Sequence, residues 1–229
     1  MTDGDCAGSA TVVLLHGIGK PRLDMFAMAR GFRRRGYAVV NWPYPSRREP
    51  IDRLAVRLGD LLGAHAGAQR VHLVTHSMGA IVARACLSRG APGNLGRLVM
   101  VAPPNQGSRL ASILGDLAPF RWYFGPAGQQ LRDDGAGGFC PGAGIPPCEF
   151  GIIAGGTGRP RGINPLLKGD DDGTVELSST PLDGAGDYVV LPYPHSFIHM
   201  MPETIRLAAA FLESGVFPVS PKERGRAAR

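Results

Sequence analysis

Ser77 lies in Thr75-His76-Ser77-Met78-Gly79, a G-x-S-x-G pattern with threonine at the first place. Between a strand and a helix such a segment turns sharply, straining the serine backbone and exposing its hydroxyl as a nucleophile. A serine hydroxyl attacks only when a histidine takes its proton, and that histidine needs a carboxylate to orient it. Asp170-Asp171-Asp172-Gly173 and then His195 follow in the order serine, acid, base. Asp172 is favoured among the three aspartates because Gly173 turns the chain after it and Thr174-Val175 resume an extended segment. His195 is favoured as the base because it stands four residues past the last apolar run, with His199 as its rival. Attack on an acyl carbon also builds charge on oxygen, which calls for aimed N–H donors. Met78, after the serine, supplies one. Ile18 in His16-Gly17-Ile18-Gly19 supplies the other, its flanking glycines allowing close backbone approach, while His16 braces the loop. Read instead as a calcium loop, the aspartates lack alternating ligand spacing.

Elements that would position these residues follow in regular order. Thr11 to Leu15, Tyr37 to Asn41, Val71 to Val74, Leu98 to Val101, Phe150 to Ala154 and Tyr188 to Leu191 are apolar runs of strand length. Helical spacing of Met25, Phe26, Met28, Ala29 and Phe32 stops at Gly36, and a second stripe runs from Ile51 to Leu62 behind Pro50. Further helices are predicted from the serine turn to about Ser88 and from Pro202 to about Gly215. Alternating strands and helices predict a mostly parallel sheet of about six strands covered on both faces. His16, Ser77, Asp172 and His195 all fall just past strand C-termini, where such sheets bind ligands.

The segments LLHGIGKP, NWPYPS, VHLVTHSMGAIVAR, RLVMVAPPNQGSRLA, FGIIAGG, DDDGTVELSST and VVLPYPHSFIHMMPETI, spread over about 11 to 215, together resemble the compact bacterial esterases and lipases of the α/β-hydrolase superfamily. That resemblance implies the α/β-hydrolase fold and cleavage of carboxylic esters through an acyl-serine. It matches Ser77 to the nucleophile, Asp172 to the acid, His195 to the base, and Ile18 and Met78 to the oxyanion hole. Acyl transfer on the same site, or a catalytically silent binding protein that keeps the fold, are the alternatives.

Bulk properties narrow the remaining classes. The 229 residues suit one domain over about 1–218, with a basic, frayed tail at 219–229. A net charge of +6 and a pI near 9.5 come mainly from scattered arginines without a nucleic-acid motif, so a solvated surface is expected and nucleic acid is not. No apolar run has bilayer-spanning length and no leader is visible, which makes the cytoplasm the default location. Four cysteines show no metal-ligand spacing, so neither metal nor cofactor is expected; Cys140 and Cys148 flank a loop and would pair only in an oxidising compartment. Residues 108–148 form a candidate cap over the strand ends. Its apolar cluster from Leu110 to Phe124 either lines an acyl pocket or packs on the core, and the glycines from Gly125 onward are expected to let it shift.

Overall fold

The computed structural model describes residues 10–133 and 142–219. Cys140 and nearly all of the expected tail therefore lie outside the described residues. One six-stranded parallel sheet forms the centre, with strands β1 (Ala10–Leu15), β2 (Ala38–Asn41), β3 (Arg70–His76), β4 (Leu95–Val101), β5 (Phe150–Gly155) and β6 (Asp187–Leu191). Their spatial order is β2-β1-β3-β4-β5-β6. β1 and β5 are buried along their whole length and β3 past Arg70, as parallel strands covered on both faces must be. β6, at an edge, instead alternates buried and half-buried residues.

Two helix layers cover the sheet. Helix α1 (Phe26–Arg33) and helix α7 (Pro202–Ser214) bury Met28, Phe32, Leu207 and Phe211 on one face. Helix α2 (Ile51–Ala64) and helix α3 (Met78–Leu87) bury Leu54, Leu58, Ile81 and Val82 on the other. Pro50 precedes α2 in extended conformation, and Gly215 ends α7 with φ of 80°, the left-handed cap glycine adopts without strain. Helix α3 is buried on all sides, in line with its apolar composition.

The chain runs from β1 outward to β2, then crosses back so that β3 lies on the other flank of β1. This reversal separates the loops leaving β1 and β3 and opens a crevice beyond their carboxyl ends. The first carries His16-Gly17-Ile18-Gly19 and the second Ser77. After β4 the chain makes helices α4 (Arg109–Leu114) and α5 (Ala118–Gln130), and a short helix α6 (His195–Ile198) follows β6. The expectation of a shifting glycine segment fails for its first part. Gly125 and Gly128 lie inside α5, which kinks at Gly125 (φ 58°, ψ −157°). A Cβ at Gly125 would stand 1.8 Å from the Arg47 carbonyl oxygen, so the kink is wedged against backbone.

Candidate active site

Ser77 bridges β3 and α3 with φ of 54° and ψ of −126°, a left-handed conformation costly for any residue with a side chain. Its neighbours allow the turn. A Cβ at Gly79 would come within 2.8 Å of the Leu15 carbonyl oxygen, so only glycine fits there. Thr75, two residues before the serine, is fully buried and donates its hydroxyl to the Val99 carbonyl at 3.3 Å. The extra methyl is absorbed inside the sheet.

Ser77 Oγ lies 3.0 Å from His195 Nε2, and His195 Nδ1 lies 2.8 Å from Asp172 Oδ2. All three residues are at least nine-tenths buried. The other Asp172 oxygen accepts the N–H groups of Thr174 and Val175 at 3.0 and 2.8 Å, and the Asp172 carbonyl accepts the His195 N–H at 2.9 Å. A carboxylate held by two such bonds, in a residue whose carbonyl also holds the His195 backbone, keeps the imidazole with its proton on Nδ1 and its lone pair on Nε2, toward the serine.

The neighbouring aspartates do different work. Asp170 caps the loop after β5, accepting from the Thr157 and Gly158 N–H groups at 2.7 and 2.8 Å. Asp171, fully buried, accepts three N–H bonds from Ile163, Asn164 and Gly173. Three consecutive carboxylates thus face three different segments rather than one ion.

Ile18 and Met78 come from the two loops that flank the crevice. Met78 is the first residue of α3, where helix N–H groups lack internal partners and the dipole favours negative charge. Among the described residues neither the Ile18 N–H nor the Met78 N–H is engaged by another group. The loop is braced from behind: Tyr44 donates its hydroxyl to the His16 carbonyl, and the two rings stack with centroids 4.2 Å apart. Gly19 N–H bonds Ser46 Oγ at 3.1 Å. Burial is the main cause that holds the His16 imidazole below its usual pKa. His16 therefore braces, as its position suggested.

His199 does not reach the serine. It is fully buried at the end of α6, with Nε2 3.0 Å from Asp24 Oδ2 and 3.1 Å from the Asp24 carbonyl oxygen. Its ring stacks on His76 with centroids 4.0 Å apart, and His76 Nε2 lies 3.0 Å from the His195 carbonyl oxygen. The carbonyl requires His76 Nε2 to be the donor, leaving His76 Nδ1 a buried lone pair with no partner. Burial, then the neighbouring His199 and His195, push the His76 imidazole far below its ordinary pKa, which keeps it neutral. Burial alone would raise the Asp24 carboxyl, but His199 and then Lys20 outweigh it and hold it low. Ligand atoms of Asp24, His76 and His199 fall within 4.8 Å of one another. The two rings lie at 27° to each other, however, so their lone pairs run in nearly parallel planes and do not converge on one ion. The cluster holds the backbone of His195 from below. Sequence reasoning missed it, because Asp24 and His199 are 175 positions apart.

The cap helix α5 reaches the same loop. A Cβ on Gly19 would meet the Tyr123 ring at 3.2 Å, and one on Gly128 would stand 3.6 Å from the Ile18 side chain. Of its apolar residues, Phe120 packs on the core as one of the two expectations had it, whereas Trp122 is 84% exposed and fits neither.

Residues 12–210 match the model of the alpha/beta hydrolase family, and the chain belongs to that family. The sheet and helices are those of the α/β-hydrolase fold. Bacillus licheniformis lipase BlEst2 in mature form superposes with a TM-score of 0.70 at 19% identity, over 89% of this chain and 91% of that one. Phospholipase PlaB from Legionella pneumophila gives 0.62 at 16% identity, over 90% of this chain and 58% of that one. The type II thioesterase BorB from the borrelidin biosynthetic cluster gives 0.58 at 21% identity, over 89% and 91%. No curated protein sequence matches the chain. Among the described residues no helix is long and apolar enough to cross a membrane.

Proposed function

We propose that the protein is a serine hydrolase that cleaves carboxylic esters through an acyl-Ser77 intermediate. The observation that carries this reading is the continuous hydrogen-bonded line from Ser77 Oγ through His195 to Asp172, beside two N–H groups without partners. His195 Nε2 takes the hydroxyl proton as Ser77 Oγ attacks the ester carbonyl carbon. The Ile18 and Met78 N–H groups receive the oxyanion, a contribution of about 3–4 kcal/mol per donor in comparable sites. His195 then gives the proton to the departing alkoxide, and the alcohol leaves. Water enters, loses a proton to Nε2 and attacks the acyl carbon; collapse returns the proton to Ser77 and releases the acid. The chemistry needs no cofactor or metal.

Ester hydrolysis also agrees with the lipase and thioesterase relatives in fold. The short cap, wedged at Gly125, favours short to medium acyl chains taken from solution. Purified protein assayed on p-nitrophenyl esters of graded chain length should show turnover that peaks at such chains without a jump above the solubility limit. Activity confined to emulsified long-chain triglycerides, or none on any ester, would contradict the reading.

A further inference from the structure

A hollow of about 560 Å³ opens beside the loop that holds Ile18, sharing His16 and Gly19 with it. Its charged lining is entirely cationic among the described residues: Lys20, Arg22, Arg47, Arg48 and Arg57. Two of these have carboxylate partners outside the lining, Lys20 with Asp24 at 3.7 Å and Arg57 with Glu49 at 2.5 Å. Arg22, Arg47 and Arg48 form no ion pair among the described residues. Three exposed positive charges therefore border one hollow without a carboxylate among them, an arrangement that an anion would relieve.

The walls are firm. Pro21, Pro43 and Pro45 line the hollow with fixed φ. Arg47 is held by the cap, its guanidinium 4.8 Å above the Tyr123 ring, and the same ring lies against Gly19. Arg47 and Gly19, the neighbour of the candidate oxyanion donor Ile18, thus lie against one aromatic side chain. Guanidinium groups pair bidentately with phosphate oxygens, and volumes of this size hold an organic phosphate rather than a bare ion.

We propose that this hollow is a phosphate-binding subsite, and that the substrate is an ester or thioester carrying a phosphate group. The proposal rests on the hydrolase reading for the identity of the reacting bond. It does not depend on that reading for the binding of the anion. A phospholipid head group and a soluble phosphorylated thioester present the same chemistry to Arg22 and Arg48.

The experiment compares wild type with Arg22→Ala/Arg48→Ala, which removes two exposed side chains. The substrates are dihexanoyl-phosphatidic acid, hexanoyl-coenzyme A and neutral p-nitrophenyl hexanoate. The double variant should raise KM for at least one phosphate-bearing substrate about tenfold or more relative to its effect on the neutral ester, the scale expected for lost charge-assisted hydrogen bonds. Whichever phosphate substrate shows the change identifies the source. Equal KM changes on all three substrates would overturn the subsite. Titration of Ser77→Ala with inorganic pyrophosphate, with and without the two arginine substitutions, separates the claims. Arginine-dependent binding without turnover of any substrate in the wild type would sink the hydrolase reading and uphold the subsite. Turnover with arginine-independent binding would sink the subsite alone.

Discussion

Asp171 and Asp172 sit in a turn where each carboxylate accepts backbone N–H groups and neither residue is more than 2% exposed. On the opposite side of the crevice, α4 and α5 leave Ile113, Trp122 and Tyr123 exposed, and they are anchored by the wedge at Gly125, by Ala111 and Ala127 in the core and by Gln130 Oε1, which accepts the Ile51 N–H. At the acid–base side each carboxylate is itself fixed by short bonds to main chain, whereas α4 and α5 are held along one side only and turn large apolar side chains to solvent. The first arrangement suits chemistry that fails if an imidazole rotates, and the second leaves an apolar surface open beside it. His195 shows how far the fixing goes. Its ring is held by Asp172, its N–H by the Asp172 carbonyl, and its carbonyl by His76.

The largest effect should come from breaking the acid–base side. Asp172→Asn should lower kcat about 10⁴-fold by allowing the wrong imidazole tautomer, while the folded state persists. His199→Ala should instead act through stability, since it strips Asp24 and His76 of their partner, and the residual enzyme should retain most of its kcat. Steady-state kinetics beside denaturant unfolding would separate these, and a reversed pattern would make His199 the base.

A smaller effect is expected from Gly125→Ala. The new Cβ meets the Arg47 carbonyl and the positive φ is strained, so the kink must give way at a cost on the order of 1–3 kcal/mol. KM should rise more than kcat falls, because α5 packs Tyr123 against Gly19 and Gly128 near Ile18 in the candidate oxyanion loop. A pure kcat loss would mean that the cap participates in the chemistry.

Stability should also depend on pH in a stated direction. His72, with burial the main cause, is held down to about 4, and its Nδ1 accepts the Arg97 N–H. His76 is likewise depressed. Below about 6.5 the unfolded chain takes up protons at these residues that the native state refuses. The stabilisation is complete above that pH and is lost as pH falls from 6.5 toward 4. Thermal midpoints measured across this range should drop, and His72→Gln should flatten the slope. An unchanged slope would place the loss elsewhere. The least change of all should follow Trp122→Ala, within about 0.5 kcal/mol of wild type, as the ring is 84% exposed.

Much of this was legible from local pattern. Apolar runs marked all six strands, most firmly β1, β3 and β5, which are buried on both faces and so must be continuous in hydrophobicity, and Ser77, Asp172 and His195 each follow a strand. Long-range contacts were not legible. The glycines at 125 and 128 resemble a loose linker, yet they belong to a helix whose kink is set by the carbonyl of Arg47, nearly 80 positions earlier in the chain. Nothing near Asp24 announces that it will meet His199, and His76 read only as the variable residue of a motif. Of three aspartates in a row the sequence favoured Asp172 through the glycine after it, but the backbone partners of Asp170 and Asp171 were not legible.

The most direct test is covalent labelling of the native protein with a fluorophosphonate, followed by peptide mapping and assay of Ser77→Ala. A single adduct at Ser77, with kcat in the alanine variant down on the order of 10⁶-fold and an unchanged unfolding transition, is the expected result. Labelling at another residue, or an active Ser77→Ala enzyme, would contradict the assignment of Ser77 as the nucleophile.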